Sequence, residues 1–176
     1  MSSLLPTREQ AIGILENSHC PRQVINHCLA VATLAEELAN QLKDGGQLID
    51  VELVLAGALL HDLGRSKSQT VDHSLVGAKM AEEIGLPTAV VNIIKRHIGA
   101  GISSKEAQAL GWPADVYVPQ TLEEKVVAYA DKRIGNSRIV PIEREIKRLQ
   151  KENKMEAAER VKELHIEISS LLGKPL

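Results

Sequence analysis

Apolar residues recur at helical spacing along almost the whole chain, and the strict alternation of a half-buried strand is nearly absent. Thr7-Arg8-Glu9-Gln10 has the form of a capping box and predicts a short helix through Leu15 and Glu16. Pro21, at a first helical position, restarts the chain for a long helix to about Lys43, with His27 on the stripe Val24, Val31, Leu34 and Leu38. Asp44-Gly45-Gly46 breaks that helix. Asp50 then caps a nearly uncharged run from Val51 that closes on His61-Asp62, long enough to be a buried helix and too short to span a bilayer. Past the polar stretch Ser66 to Thr70, Asp72 is placed to cap a helix opened by His73 and ended by Gly85, and Pro87 begins the next, which closes on His97. Ser103-Ser104-Lys105-Glu106 is a second capping box, for a short helix ending at Gly111. Trp112 to Pro119 reads as a loop, with a lid as one role open to it. Thr121-Leu122-Glu123-Glu124 is a third capping box, for a helix that approaches Asp131 through Val126-Val127-Ala128-Tyr129-Ala130 and is ended by Gly135.

From Pro141 the composition turns to Glu, Lys and Arg with spaced Ile and Leu. Ile142, Ile146 and Leu149 form one stripe, and Val161, Leu164, Ile168 and Leu171 form another, rotated from the first by less than a quarter turn. A break near Asn153 reconciles the two. The tail reads either as an arm for a partner or a second copy, or as helices packed on their own domain. The pattern predicts an all-α bundle of about seven to nine helices, one domain over 1–176 with a charged helical extension over 141–176.

Composition sharpens this picture at a few points. A chain of 176 residues can bury a real core, and with no Phe, one Trp and two Tyr that core must be built from Leu, Ile, Val and Ala. The formal net charge of −2 leaves no basic surplus of the kind that marks a general nucleic-acid binder, and the lack of aromatics argues against a base-stacking surface. Cys20 and Cys28 on one helix would lie about 12 Å apart, too far to bridge. They read as core residues in a reducing compartment, and with no leader or membrane span in view the expected location is the cytoplasm.

The chemistry sits at the helix ends. A histidine and an aspartate at the end of an oily segment cost roughly 2–7 kcal/mol per buried polar group unless something binds them. A divalent ion would bind both, and Gly64 just beyond lets the backbone turn sharply. His27, His73, His97 and Asp131 also lie on or at the ends of amphipathic helices.

The order His, His-Asp, His, His, Asp resembles the HD superfamily of metal-dependent phosphohydrolases. His61-Asp62-Leu63-Gly64-Arg65 is similar to its His-Asp-Ile-Gly-Lys, and Asp72-His73-Ser74-Leu75-Val76-Gly77-Ala78 to its His-Pro-x-x-Gly-Ala segment. Ile93-Ile94-Lys95-Arg96-His97 and Tyr129-Ala130-Asp131-Lys132 have counterparts too, so the likeness runs from about Cys20 to Gly135 and implies an HD-type metal-binding core over 20–135. It implies that His27, His61 and Asp131 bind a first ion, that Asp62 bridges, and that His73 and His97 hold a second. Ile98 stands where many two-metal members have another histidine, which leaves the second ion one ligand short, a count shared by relatives that cleave dinucleoside tetraphosphates. Two such ions give a hydroxide at neutral pH and neutralise charge on phosphoryl oxygens.

The activity so implied is hydrolysis of a small phosphorylated metabolite or nucleotide, whether phosphomonoester, phosphodiester or dinucleoside polyphosphate. One or two divalent ions (Fe, Mn, Zn, Co, Ni or Mg) serve as cofactor. Asp62 and Arg65 are the catalytic candidates, Arg65 as a bidentate phosphate clamp, with Lys67 and Arg96 as further substrate-binding candidates. Trp112 and Tyr117 could stack on a base or simply close a core; His19 and His165 fit no ligand position. Alternatives are a mixed-valent di-iron oxygenase of the same superfamily and a non-catalytic nucleotide-binding module. No membrane partner is expected, and a homo-oligomer through the C-terminal helices stays open.

Overall fold

Helix α3, Val51–Leu60, is apolar all round, and four other helices cover it, as such a helix requires. In the computed structural model, which describes residues 4–174, these are α1 (Arg8–Asn17), α2 (Arg22–Asp44), α5 (Thr88–Arg96) and α7 (Leu122–Lys132). A single 3₁₀ turn, Leu63–Ser66, leads from α3 towards α4 (His73–Glu83), which packs on α5. The short α6 (Ser104–Ala109) precedes α7, and α8 (Ile142–Lys151) and α9 (Met155–Leu172) complete nine α-helices among the described residues. The fold is therefore the expected all-α bundle. Residues 1–3 and 175–176 of the predicted domain lie outside the described residues.

The capping signals are honoured unevenly. Thr7 with Gln10 and Ser103 with Glu106 close both halves of their capping boxes, and Asp50 accepts from Leu53 N–H at 3.0 Å. Thr121 accepts from Glu124 N–H, but the Glu124 carboxylate turns away to Gln120 N–H at 2.6 Å and to the Arg96 guanidinium at 2.8 Å. Asp72 does not cap α4. Its carboxylate instead accepts the Trp112 indole N–H at 2.7 Å, a stronger demand because that ring is buried.

Trp112 and Tyr117 meet edge to face, centroids 5.0 Å apart, in a small core with Ala107, Val71, Leu75 and Ile102. Ile102 N–H bonds to Tyr117 O at 3.0 Å and Arg96 Nε to Val116 O at 3.1 Å, so the loop is tied down on both sides. Of the two roles open to these aromatics, the structure gives them the core.

On α2 the buried face joins Val31 and Leu38 of the stripe drawn from the sequence to Cys28, Ala32, Ala35 and Ala39. Val24 and Leu34 are half-buried at its edge, because small side chains let α2 lie close to α3 and α7. His27 shares that edge and so can face a cleft. Both cysteines are buried free thiols.

Past α7 the chain makes a tight hairpin, β1 (Ile134–Gly135) with β2 (Arg138–Ile139), turned by Asn136 and Ser137, both at positive φ. This is the primed two-residue turn that suits strand twist. Asn153, at φ 58, supplies the expected break between α8 and α9. The two helices pack on each other, and α9 lies on α7 and α2, burying Val161, Leu164 and Ile168. His165 finds its place here, with Nδ1 2.8 Å from the Tyr129 hydroxyl that also accepts from Arg133. No helix among the described residues is long and apolar enough to cross a membrane.

Candidate metal centre

The six candidate ligands arrive from five helices and meet in one place. His27 comes from α2, His61 and Asp62 from the end of α3, His73 from the first residue of α4, His97 from the end of α5 and Asp131 from α7. Three of the rings are locked in the same way. His61, His73 and His97 each set Nδ1 2.7 Å from the carbonyl oxygen three residues earlier, Ala58, Thr70 and Ile94. A carbonyl only accepts, so each Nδ1 carries the proton and each Nε2 turns a lone pair inward.

What those lone pairs face is the informative point. The Nε2 atoms of His73 and His97 stand 3.1 Å apart, and both face Asp62 Oδ1. His61 Nε2 is buried and has no hydrogen-bond partner among the described residues. A buried polar atom left without a partner is costly in a low-dielectric interior, and a cation there would satisfy it.

Two carboxylates supply the matching charge. Asp131 Oδ1 lies 2.9 Å from His27 Nε2 and 3.5 Å from His61 Nε2, while its other oxygen is held by Lys132 at 2.7 Å. Asp62 divides its oxygens. Oδ2 is 3.9 Å from His27 and 3.7 Å from His61; Oδ1 is 3.1 Å from His73 and 3.5 Å from His97. The donors thus fall into two groups with Asp62 between them, and His61 is close enough to reach either.

Burial pushes the Asp131 carboxyl up, but Lys132, His27 and His61 outweigh it and hold the group well below the usual carboxylate range. For Asp62 the same contest is decided by His61, His73 and His97, again well below. Burial drives His97 down to about 4, whereas at His61 the Asp62 carboxylate overcomes burial and raises the ring, so a cation entering there takes the place of a proton on Nε2. The pocket floor thus sets two ionised carboxylates among inward-facing imidazole nitrogens, a donor set that suits a borderline divalent ion.

The centre opens into a cleft of about 1160 Å³. Arg65 lies at its edge, with Nε 3.6 Å from Asp62 Oδ1 and Nη1 donating to Gln69 O at 2.8 Å. Lys67 is exposed on the far side of the 3₁₀ turn, and Arg96 is spent on Glu124 and the Val116 carbonyl; neither lines the cleft. Ile98 does line it, next to His97. Absent from the candidates drawn from the sequence are Lys132, whose position directly after Asp131 was the available signal, and the cations of α8, for which there was none.

The family described as HD domain matches this chain by its model over residues 24–135. An uncharacterized protein of Methanocaldococcus jannaschii is 47% identical over 143 residues, covering 81% of this chain and 84% of that protein. A protein of Picrophilus torridus named tRNA (cytidine(56)-2'-O)-methyltransferase is 38% identical over 172 residues, covering 98% of this chain. The chain spans about half of that relative, 49% of its length. Among solved structures, the HD domain of the L. monocytogenes phosphodiesterase PgpH in complex with cyclic-di-AMP shares the fold, with a TM-score of 0.58 over 92% of this chain and 96% of that one at 18% identity.

Proposed function

Because the chain belongs to the HD domain family, we propose that it is a metal-dependent phosphohydrolase acting on a nucleotide or other small phosphorylated metabolite. The observation that carries this reading is the convergence of inward-facing imidazole nitrogens on two ionised carboxylates, with Asp62 divided between two donor groups. On this reading His27, His61 and Asp131 would hold one divalent ion and His73 and His97 a second, with Asp62 serving both donor groups. Ions so bound supply positive charge for phosphoryl oxygens and lower the pKa of a water near them.

The chain's own residues do the rest. The three backbone-anchored rings keep their Nε2 atoms aimed without reorganisation, and Lys132 fixes one oxygen of Asp131 so that the other points at His27 and His61. Arg65 brings a guanidinium to the edge of the site, where it can meet a phosphate. We extend the reading to organisation: residues 20–135 form the metal-binding core and 141–176 a charged helical extension, of which α8 lines the cleft. The cyclic dinucleotide bound by the neighbouring phosphodiesterase domain supports a nucleotide as substrate class.

Two measurements test this. Elemental analysis of protein purified without chelator is expected to find two divalent ions per chain. One per chain would leave His73 and His97 facing substrate instead. Protein loaded with Mn, Fe, Co or Ni is expected to release product from at least one of a panel of phosphomonoesters, cyclic nucleotides, dinucleotides and dinucleoside polyphosphates. Silence across that panel overturns the reading, and oxygen uptake by the iron form would replace it with the oxygenase. In an active preparation, Arg65→Ala is expected to lower kcat about 100-fold with metal content unchanged.

The methyltransferase name of one relative motivates a second reading. The family match lies within the half shared with this chain, which supports placing methyl transfer in that protein's other half. Methylation of a tRNA transcript by this chain, with no phosphoester cleaved, would reverse that assignment.

A further inference from the structure

The cleft is not bounded by the family core alone. α8 lines it too, with Arg144, Lys147, Arg148 and Lys151 at spacings of three and four, and Lys154 follows just before α9. That spacing puts the cations on one helix face, away from the stripe of Ile142, Ile146 and Leu149. From Arg144 to Lys151 the row is about 10 Å long at about 1.5 Å per residue. Gly135 of the hairpin leaves room for Arg144: a Cβ there would lie 2.7 Å from Nη1.

Not all of these charges are free. Arg148 is neutralised by Glu145 at 2.7 Å and Glu152 at 2.6 Å, and Lys154 by Glu152 at 2.7 Å. Among the described residues, Arg144, Lys147 and Lys151 have no carboxylate within ion-pair distance. The chain's net charge of −2 excludes a generally basic protein, yet it conceals this row of unpaired cations, which lines the cleft of the metal centre together with the carboxylates of Glu106 and Glu145. Like charges held side by side repel, and a row of bound anions relieves that repulsion.

We propose that α8 is a rail for the phosphate backbone of a single-stranded oligonucleotide whose reacting bond lies at the metal centre. The proposal rests on the hydrolase reading and names the substrate class for that site. Length argues for an oligonucleotide: the cleft of about 1160 Å³ exceeds the roughly 300–1,000 Å³ of ordinary small-ligand sites, and one phosphate at the metals leaves three cations on α8 unused. Depth argues for a single strand, since Asp62 and Asp131 are only 9% exposed and a stiff duplex cannot bring a bond down to them. Recognition is through phosphates and not bases, because no Trp or Tyr lines the cleft. Binding is therefore tolerant of sequence and steep in salt.

The test is fluorescence anisotropy on the full chain with labelled single-stranded ten-mers of RNA and DNA, a duplex of the same length and a mononucleotide. The triple variant Arg144→Glu, Lys147→Glu, Lys151→Glu is compared with a charge-matched control, Lys43→Glu, Lys105→Glu, Lys162→Glu. A ten-mer of either sugar should bind with log Kd rising about 2 per unit log salt, from about 0.7 for each of three phosphates. The rail variant should weaken it at least tenfold and flatten that slope, with Tm and metal content as in the wild type; the control should not. Equal losses in both variants, or a duplex or mononucleotide bound as tightly and as steeply as the ten-mer, overturns the rail. Ten-mer binding with no cleavage of the ten-mer or of any compound in the panel, under any metal, keeps the rail and sinks the hydrolase reading. Cleavage of a small phosphodiester without ten-mer binding does the reverse.

Discussion

In the Asp62→Ala protein, metal and activity are expected to disappear together from a chain that still folds. Among the described residues, Asp62 is the one side chain within ion-pair distance of all four site histidines, with two on each of its oxygens. Its removal therefore strips charge from both donor groups at once, leaving Asp131 to hold cations against a cluster of imidazoles. Turnover should fall at least about a thousandfold, the equivalent of about 4 kcal/mol at about 1.4 kcal/mol per decade. His73→Ala gives the contrast, since it touches one oxygen of Asp62 only and should bring metal content from two ions towards one. Circular dichroism checks that each variant is folded, and elemental analysis gives the stoichiometry. An Asp62→Ala protein that keeps two ions and full turnover would sink the division of donors on which the mechanism stands.

The features legible in the sequence are those fixed by local chemistry. Asp50, Thr7 and Ser103 announce helix starts because a side-chain oxygen satisfies a nearby N–H whatever the rest of the chain does. Asn153 was readable because two apolar stripes out of phase demand a break, and Asn tolerates the left-handed backbone found there. The six ligands were legible only together, by their order. Where tertiary partners compete, the local signal fails. Asp72 and Glu124 have cap-like positions, but Trp112 and Arg96 claim their carboxylates, and neither rival can be seen from residues 40 or 28 positions away. The hairpin after α7 left only the trace Gly135-Asn136-Ser137, too short to show strand alternation. Lys67 follows the His-Asp pair by five residues and still faces solvent, whereas the α8 cations, beyond the family match, line the cleft. Proximity in sequence is a poor guide to a site assembled from helix ends.

Gly64→Ala is expected to destabilise the metal-free protein by about 3 kcal/mol, and the reason differs from the one the sequence suggests. Read along the chain, Gly64 serves a sharp turn past the ligand pair; in the structure its φ is not in the left-handed region that favours glycine. What excludes a side chain is α4. A Cβ on Gly64 would collide with the His73 carbonyl oxygen and stand 2.6 Å from Gly77 N, and both are backbone atoms that no rotamer change can move. Gly77 meets the same surface from the other side, where its own Cβ would lie 2.9 Å from Gly64 N. The 3₁₀ turn that follows Asp62 and the helix carrying His73 are thus pressed together backbone to backbone, and an inserted methyl must drive them apart. Overpacking of this kind costs roughly 1–3 kcal/mol, and backbone contact on both sides puts this case at the upper end. At about 2–4 °C per kcal/mol for a chain of this size, Tm should fall by about 6–12 °C. The same displacement lengthens the 3.1 Å approach of His73 to Asp62, so the second ion should be lost before the first. Gly13→Ala is the matched control: it lies inside α1 with nothing within 4 Å of a new Cβ, and should raise stability by about 0.5–1 kcal/mol through helix propensity. A Gly64→Ala protein as stable as the wild type and holding its full metal complement would mean that the turn and α4 are not packed as closely as their backbones indicate.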